Sequence, residues 1–301
     1  MSDFPQVSVV IPTYNRAEML RVALDSVRAQ TIPAFEIAVV DDGSTDHTAE
    51  VVRDFASGGM PLIYLTGPHR DRLGEARNRG VAATSGEWIA FLDSDDIWKP
   101  ERLERQLNAI VAMPDALFAF CNVQRFDEYG PIGNGPYLSA SADYNGRILG
   151  YVLEEPVVVP SALMVRRDAF ERSGGFSGRQ INEDYELILN LAAENSACYV
   201  PDVLVMHRAH AGSRSMALQR ASMLEYLDIV QRFLREHQDL ARDVRVRGRR
   251  GLANVHLKLA EFYTQAGDRR TARKHLRSLL RLRPWDRRVL PAYLSSWGIR
   301  H

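Results

Sequence analysis

The sequence is poor in cysteine and has no long apolar run. Its 301 residues include only Cys121 and Cys198, too few for a disulfide framework or a zinc cluster and suited to a reducing compartment. No apolar run reaches the roughly 20 residues that a membrane-spanning helix needs, and residues 1–5 lack a signal-peptide pattern. We therefore expect a cytoplasmic protein, or one held peripherally at the inner face of the membrane.

The sequence also lacks the glycine-rich loops that bind phosphate. The first predicted strand, residues 7–11, leads into Pro12-Thr13-Tyr14-Asn15 instead of G-x-G-x-x-G or G-x-x-x-x-G-K-[ST]. This absence argues against a dinucleotide oxidoreductase and a P-loop ATPase. It leaves open a nucleotide held by carboxylates at its base and ribose and by a metal at its phosphates.

Net charge is absent overall but is unevenly distributed along the chain. The formal net charge is +0, yet residues 242–301 contain 16 Lys and Arg against 4 Asp and Glu, a net charge of about +12 in the tail. With 46% hydrophobic and 25% charged residues the composition is that of a globular protein. We expect one large domain with a separate basic appendage.

Short apolar strands alternate with amphipathic helices in the first hundred residues. This alternation predicts an α/β fold with right-handed crossovers and a mostly parallel central sheet flanked by helices. The predicted strands are residues 7–11, 37–40, 62–65 and 88–92, and the helices between them are residues 16–29, 45–55 and 74–83.

The apolar run of residues 88–92 ends abruptly in Asp93-Ser94-Asp95-Asp96. Ligands of open α/β sheets bind beyond the carboxyl ends of the strands, and Asp41 and Asp42 follow the second strand at the same edge. Crowded carboxylates repel one another unless a cation neutralises them. The simplest candidate is a divalent metal ion.

Four ordered segments resemble the motifs of the family-2 glycosyltransferases with the GT-A fold: residues 7–16, 39–46, 76–80 and 91–96. The resemblance covers residues 6–215. It implies a Rossmann-like, mostly parallel sheet and an inverting enzyme that moves a sugar from a nucleoside-diphosphate sugar to a hydroxyl acceptor by direct displacement. It also implies Mn²⁺ or Mg²⁺ on the D-x-D segment.

The resemblance implies roles for individual residues, nine on the donor side and one on the acceptor side. Asp96 is a weaker candidate because the family varies there, and His207 receives no role from the resemblance. The implied nucleotide-sugar contacts are Pro12, Tyr14 and Asp42 at the base, Arg72 at the base or diphosphate, Asp93 at the ribose, Ser94 beside it and Arg208 at the phosphates; the implied metal ligands are Asp95 and His210, and the catalytic base is Asp184.

The chemistry of the reaction gives a carboxylate at position 184 a purpose. A sugar hydroxyl that attacks an anomeric carbon must lose its proton, and a base within hydrogen-bond reach contributes about 10²–10⁴ in rate. The leaving diphosphate needs no acid where a metal and cations take up its charge. One base on the acceptor side and one metal on the donor side are sufficient.

The remainder of the chain predicts a loop and a helical extension. Residues 130–146 are rich in Gly, Pro, Ser and Asn, which indicates a loop long enough to be functional. From Met216 onward long helical patterns predict a tetratricopeptide-like hairpin turning at Gly267-Asp268. We therefore expect domains at residues 1–215 and 216–301. A single hairpin seldom buries its own face, so we expect it to dock on the catalytic domain or in a homodimer.

These patterns suggest which partners to expect. The donor is a nucleoside-diphosphate sugar, with UDP favoured, the acceptor is a glycan or another hydroxyl compound, and no nucleic acid is expected. Because spanning helices and a Q-x-x-R-W segment are both missing, single-residue addition in polysaccharide biosynthesis is favoured over a processive synthase. The basic tail is a candidate for peripheral contact with an anionic membrane.

Simpler interpretations remain for each motif. Acidic residues at 41–46, 93–96 and 183–184 are also typical of turns and helix N-termini, and Tyr14 suits a core position. Arg72, His207 and His210 suit a polar surface. Two other functions fit as well: a D-x-D phosphoryl-transfer enzyme with Asp93 as nucleophile, and an inactive nucleotide-binding module that recruits a partner.

Overall fold

The computed structural model describes residues 4–133, 135–139, 143–209, 218–284 and 288. The chain forms two compact units, one of Met1–Ile148 with Val157–Ala211 and one of Leu149–Pro156 with Gly212–His301. The second unit therefore includes a short segment from the middle of the chain that the expected division after residue 215 leaves in the first.

The first unit is built on one mixed sheet in the order β3-β2-β1-β4-β8-β6-β9-β5, with β7 beside β6. Strands β1 to β4 are parallel to one another, and β6 is parallel to β9, whereas β8 runs antiparallel to both β4 and β6, β5 to β9 and β7 to β6. The predicted mostly parallel sheet is confirmed. The strands are β1 Val7–Thr13, β2 Glu36–Asp41, β3 Leu62–Thr66, β4 Trp88–Phe91, β5 Ile97–Trp98, β6 Ala116–Asp127, β7 Gly130–Pro131, β8 Leu163–Arg166 and β9 Ser196–Arg208.

Helices cover the sheet because each presents an apolar face at helical spacing. In α1, for example, Leu20, Leu24 and Val27 are fully buried, as expected for a crossover helix packed on a parallel sheet. A single 3₁₀ turn, Pro160–Ala162, precedes β8. The helices of this unit are α1 Ala17–Arg28, α2 Thr48–Ala56, α3 Leu73–Ala82, α4 Arg102–Ala112, α6 Arg167–Arg172 and α7 Glu183–Glu194.

Helix α3 approaches the sheet more closely than a larger side chain would allow. A Cβ atom at Gly80 would lie 2.4 Å from Val10 Cγ1 and 3.0 Å from Val40 Cγ2. Glycine therefore lets the helix backbone rest directly on β1 and β2. This contact fixes the position of α3, and with it the buried side chain of Arg77.

The second unit is helical, with α5 Leu149–Glu154, α8 Gln219–Glu236, α9 Arg242–Gln265 and α10 Arg269–Leu282. The chain turns between α9 and α10 at Gly267, whose φ is +80°. The Asp268 carboxylate then caps α10 by accepting from the Thr271 N–H at 3.0 Å.

The packed face between α9 and α10 differs from the face predicted from sequence. Its core consists of Ala253, Leu257, Ala260, Leu276 and Leu279. Leu276 and Leu279 of α10 agree with the helical spacing, which predicts one face of Leu252, Val255, Leu259, Phe262 and Tyr263 and a second of Ala272, Leu276, Leu279 and Leu280. In α9 the prediction fails for Val255, Phe262 and Tyr263, which are only half-buried, and in α10 it fails for Leu280, which is exposed. Alanine lets the two helices approach closely, so the small residues face the partner. Within the described ranges no helix combines the length and apolarity needed to cross a membrane.

Candidate functional site

Three parallel strands deliver their following loops to one edge of the sheet. Thr13, at the end of β1, lies beside Asp41, at the end of β2. Strand β4 runs parallel to β1 on its other side and ends at Phe91. The segments that carry the predicted donor-side residues therefore begin at neighbouring points.

Asp41 and Asp42 have different surroundings although they are adjacent in sequence. Asp41 is buried and accepts hydrogen bonds from the Ser44 N–H at 2.8 Å and the Tyr64 hydroxyl at 2.6 Å. Burial, together with this carboxylate, raises the pKa of Tyr64 above its ordinary value. Asp41 therefore stabilises the turn after β2, while Asp42 faces the loop that follows β3.

The Asp42 carboxylate is enclosed by three consecutive residues of that loop. It accepts from the backbone N–H groups of Arg70 at 3.1 Å and Asp71 at 3.0 Å, and lies 2.8 Å from Nδ1 of His69. The His69 ring in turn stacks on Tyr14, with ring centroids 3.8 Å apart and planes 10° apart. The structure thus brings two predicted base contacts, Tyr14 and Asp42, together through a third residue.

Tyr14 and Pro12 occupy contrasting positions. Tyr14 is 39% exposed, so it is not a core residue. Pro12 is buried within β1 opposite Val40, where it shapes the end of the strand.

A cavity of about 280 Å³ adjoins Asp42. Arg72, at the position before α3, also donates to the carbonyl of Gly178. The guanidinium groups of Arg70, Arg72 and Arg79 make this cavity suitable for an anion. It is lined by Asp42, Thr66, Gly67, Pro68, Arg70, Arg72, Glu75, Ala76 and Arg79.

Arg77 connects the D-x-D segment to helix α7. Its guanidinium, 2% exposed, lies 2.6 Å from Asp93 Oδ1 and 3.1 Å from Glu183 Oε1, and it sits 5.1 Å from the centre of the Phe176 ring. Burial lowers the pKa of Arg77, but the charges of Asp93 and Glu183 outweigh burial and raise it above its ordinary value. Arg77 therefore stays cationic and joins two acidic segments.

Asn78 holds the segment before α7 against α3. Its side chain accepts from the Phe176 N–H at 3.0 Å and donates to the Phe176 carbonyl at 2.8 Å. Gly74 allows the same approach one turn earlier, since a Cβ there would lie 2.9 Å from Glu183 Cγ. The position of the α7 N-terminus is therefore fixed by α3.

Asp184 is half-buried in the first turn of α7, which follows Asn182 with a φ of +56°. Its Oδ1 accepts from the Tyr185 N–H at 2.8 Å, so it also has the role expected of an acidic residue at a helix N-terminus. Burial raises the pKa of Asp184 above its ordinary value, against the lowering effect of Arg77. A carboxylate with a raised pKa is a stronger base than an ordinary one.

The D-x-D segment separates into residues of different exposure. Ser94 is 1% exposed. Asp95 pairs with Arg16 at 2.7 Å, the two side chains being 14% and 30% exposed. Within this segment the partly accessible carboxylates are those of Asp95 and Asp93, and the Asp93 side chain is 25% exposed.

Asp96, only a weaker candidate in the predicted site, anchors strand β9. Its buried carboxylate accepts from the Ser161 hydroxyl at 2.6 Å and from the Arg208 N–H at 2.9 Å, and lies 3.1 Å from Nδ1 of His207. Burial lowers the pKa of His207, but the hydrogen bond and charge of Asp96 raise it above its ordinary value overall. His207 and Asp96 are therefore a structural pair.

Arg208 reaches the same segment from the end of β9. Its Nε donates to the Asp95 carbonyl at 2.9 Å, and its guanidinium lies 4.5 Å from the centre of the Phe126 ring. The second residue expected from this part of the chain, His210, lies outside the described residues.

The donor set available for a metal is small. In the part of the chain that the structure describes, no group of three or more His, Cys, Asp and Glu residues is arranged to hold a metal ion. The partly accessible carboxylate of Asp95 still fits Mg²⁺ or a similar cation, because such ions are usually bound by one or two carboxylates and the phosphates of the substrate. Arg16 would have to release Asp95 first.

Sequence reasoning missed His69, Arg77 and Arg16. For Arg77 a signal exists: it lies four residues before Val81, and this helical spacing places it on the apolar face of α3, where a cation needs an acidic partner. His69 and Arg16 lie in loops and carry no such signal.

The family model described as Glycosyl transferase family 2 matches residues 8–174, which is more than half of the chain. An uncharacterized glycosyltransferase of Rickettsia bellii is 33% identical over 163 residues, which is 52% of this chain and 22% of that protein. The chain spans 22% and 31% of the length of the first two curated relatives that it matches.

Solved structures show the same fold. S. aureus TarS 1–349 in complex with UDP-GlcNAc matches with a TM-score of 0.60 at 18% identity, over 92% of each chain. The mannosyltransferase PcManGT of Pyrobaculum calidifontis, in complex with GDP-Man and Mn²⁺, matches with a TM-score of 0.61 at 20% identity, over 99% of this chain and 87% of that one. The expected GT-A fold is confirmed.

Proposed function

Since this chain belongs to glycosyl transferase family 2, we propose that it transfers a sugar from a nucleoside-diphosphate sugar to a hydroxyl acceptor, with inversion at the anomeric carbon. The observation that carries the proposal is the ion-paired link from Asp93 through Arg77 to Glu183. It joins the donor-side carboxylates to the helix turn that bears Asp184, the candidate base. Donor and acceptor chemistry are thereby held in one connected site.

On the donor side, Tyr14 and Asp42 receive the base and Asp93 the ribose. Relatives of the same fold were solved with UDP-GlcNAc and with GDP-Man, which supports a nucleotide-sugar donor without selecting its base. The guanidinium groups of Arg72 and Arg208 supply positive charge for the diphosphate. Pro12 and Ser94 shape the strand ends behind these groups.

On the acceptor side, Asp184 takes the proton of the attacking hydroxyl. Burial raises the pKa of this carboxylate, which makes it a stronger base, while the charge of Arg77 favours its ionised form. The hydroxyl oxygen attacks the anomeric carbon from the face opposite the diphosphate and displaces it, which inverts the configuration at that carbon. No covalent sugar–enzyme intermediate and no second carboxylate are needed.

A divalent cation, Mn²⁺ or Mg²⁺, belongs to this proposal. When bound it takes up negative charge on the leaving diphosphate. Asp95 would hold it, joined by His210, and the Mn²⁺ bound to the P. calidifontis relative supports the use of a divalent cation. Arg16 balances the charge of Asp95 in the protein alone.

The acceptor, a glycan or another hydroxyl compound, is assigned to the side of residues 130–160. For the helical unit we retain peripheral attachment to an anionic membrane, because α10 carries cationic residues and no acidic one. The proposal also gives the extension of residues 216–301 a role in binding a partner or in forming a homodimer.

A donor screen tests the proposed function. The full chain is incubated with UDP-, GDP- and dTDP-sugars, several acceptor classes and Mn²⁺, and products are detected by mass. We expect one sugar to be added per acceptor, with the anomeric configuration of the product, read by NMR coupling constants, opposite to that of the donor. Retention of configuration contradicts inversion. Failure of UDP, GDP and dTDP to raise the thermal unfolding temperature with Mn²⁺ present contradicts the donor assignment.

A further inference from the structure

The contacts of His69 are those that a nucleobase would make at the same place. Its ring lies parallel to Tyr14 at 3.8 Å, and its Nδ1 lies 2.8 Å from Asp42 Oδ2. Because an ionised carboxylate only accepts, the imidazole N–H is the donor. A planar ring that stacks on a tyrosine and directs an N–H at a carboxylate is a chemical counterpart of uracil, thymine or guanine.

We infer that His69 occupies the nucleobase subsite in the nucleotide-free protein and leaves it when the donor binds. The inference rests on the proposed function, which assigns Tyr14 and Asp42 to the base. The base and His69 compete for one ring face and one carboxylate, so both cannot make these contacts together. His69 thereby acts as a positioning residue that sets the affinity for the donor.

The loop that carries His69 is built to close on Asp42. The backbone N–H groups of Arg70 and Asp71 also donate to this carboxylate. Gly43, with a φ of +86°, makes the approach feasible, since a Cβ there would lie 2.7 Å from the backbone nitrogen of His69. When His69 swings out, the two backbone donors can keep Asp42 oriented for the base.

Self-occupation lowers the apparent affinity by the fraction of molecules in which the subsite is open. If the closed state is about ten times as populated as the open state, apparent affinity falls about tenfold. Removing the His69 ring should therefore tighten nucleotide binding. A residue that simply lines the subsite would have the opposite effect, because its removal loses a contact with the base.

The test compares three variants with the unmodified chain by calorimetric titration with UDP, GDP and dTDP in Mn²⁺. For the nucleotide that binds, we expect His69→Ala to lower Kd by about 3- to 10-fold. His69→Phe keeps a ring for Tyr14 but loses the N–H, so its gain should be smaller. The matched control is His47→Ala, which removes another exposed histidine paired with a carboxylate, Glu18 at 2.7 Å, and should leave Kd unchanged.

A second readout follows the ring itself. In the NMR spectrum of the nucleotide-free chain, stacking on Tyr14 should displace the His69 ring proton signals, and saturation with nucleotide should return them to the position of an exposed histidine. Tyr14→Ala should produce the same return without nucleotide. If His69→Ala binds no more tightly, or the His69 signals do not move, the inference is wrong although the donor assignment stands. If no nucleotide binds any variant, the donor assignment fails and the inference with it.

Discussion

At the scale of single residues, Arg77 makes the contacts on which the candidate site depends. One guanidinium faces two carboxylates in a position with 2% exposure. Removing one partner of a buried ion pair costs about 3–5 kcal/mol, because a charge is left without compensation. Arg77 therefore compensates the charges of Asp93 and Glu183 and joins the two segments that carry them.

Replacing Arg77 tests this role. We expect Arg77→Met to lower the free energy of unfolding by about 3–5 kcal/mol, measured by urea denaturation. The matched control is Arg79→Met on the same helix. The guanidinium of Arg79 donates to the Thr66 carbonyl in an exposed contact, so this substitution should cost under about 1 kcal/mol. Equal losses in the two variants would contradict the role of the buried pairs.

Asp184 should affect turnover and leave donor binding intact. We expect Asp184→Asn to lower kcat by about 10²–10⁴ with little change in the Kd of the donor. Because the base acts when deprotonated, wild-type kcat/KM should rise with pH through an acid limb above the ordinary aspartate pKa, since burial raises the pKa of Asp184. The limb should vanish in Asp184→Asn and persist in Glu194→Gln, at the exposed far end of α7. An unaltered limb in Asp184→Asn would assign the base elsewhere.

Asp95 should govern the metal-dependent part of donor binding. We expect Asp95→Asn to weaken UDP or GDP binding in Mn²⁺ by about tenfold, because it removes charge from a hard-cation ligand, and to leave binding in EDTA unchanged. Asp25→Asn, an exposed carboxylate of α1, is the control for charge. Calorimetric titrations with Mn²⁺ and with EDTA measure nucleotide binding with and without the metal. If Mn²⁺ strengthens binding equally in Asp95→Asn and wild type, Asp95 is not a metal ligand.

Only part of the residue-level picture could be predicted from sequence. Acidic residues directly after predicted strands indicated Asp42, Asp93 and Asp95, because the sheet alone brings such positions together. The partners of Arg77 and His69 depend on contacts across 106 and 27 residues of chain, and local sequence does not encode them.

At the scale of secondary-structure elements, the contact of α3 with β1 positions the site. Prediction succeeded for β1 to β4 and α1 to α3 because apolar periodicity is strong there. It could not place β5 and β7, each two residues long, or the antiparallel direction of β8, because these strands are defined by their neighbours. For the α9–α10 contact it found Leu276 and Leu279 in α10 but missed Ala253, Leu257 and Ala260 in α9.

Gly80 tests the close packing of α3. Alanine gains about 1 kcal/mol of helix propensity over glycine, but the added Cβ would lie 2.4 Å from Val10 Cγ1, and overpacking typically costs about 1–3 kcal/mol. We expect Gly80→Ala to be destabilising by up to about 2 kcal/mol in urea denaturation. The control is Gly178→Ala, where a Cβ meets nothing within 4 Å; a stabilised Gly80→Ala would show that α3 shifts freely.

At the scale of the whole molecule, the helical unit contains a histidine pair that makes its stability depend on pH. In the helical unit, Nδ1 of His256 lies 3.0 Å from Nδ1 of His275. Burial, and then the neighbouring His275, lower the pKa of His256 to about 4. The folded unit therefore binds fewer protons than the unfolded chain between pH 6.5, the ordinary histidine value, and pH 4.

This difference predicts acid sensitivity in α9 and α10. Their stability should be highest above pH 6.5 and should fall by about 1–2 kcal/mol as the pH drops to 4, less than full linkage gives because the half-buried His275 leaves the pair partly solvated. Hydrogen exchange of the α9 and α10 amides, corrected for intrinsic rates, measures the change in the full chain. His256→Leu should flatten the response and His237→Gln should not; an unchanged slope in His256→Leu would exclude the pair as its source.

The contacts between α3 and the start of α7 also have a consequence for the order of folding. Asn78 and Phe176 are 98 residues apart in sequence, and Arg77 and Glu183 are 106 apart. At synthesis rates of about 5–20 residues per second, α7 follows α3 from the ribosome by roughly 5 to 20 s. The strands that carry the donor-side carboxylates thus exist for seconds before Glu183 arrives, and the site closes only as one of the last steps of assembling the first unit.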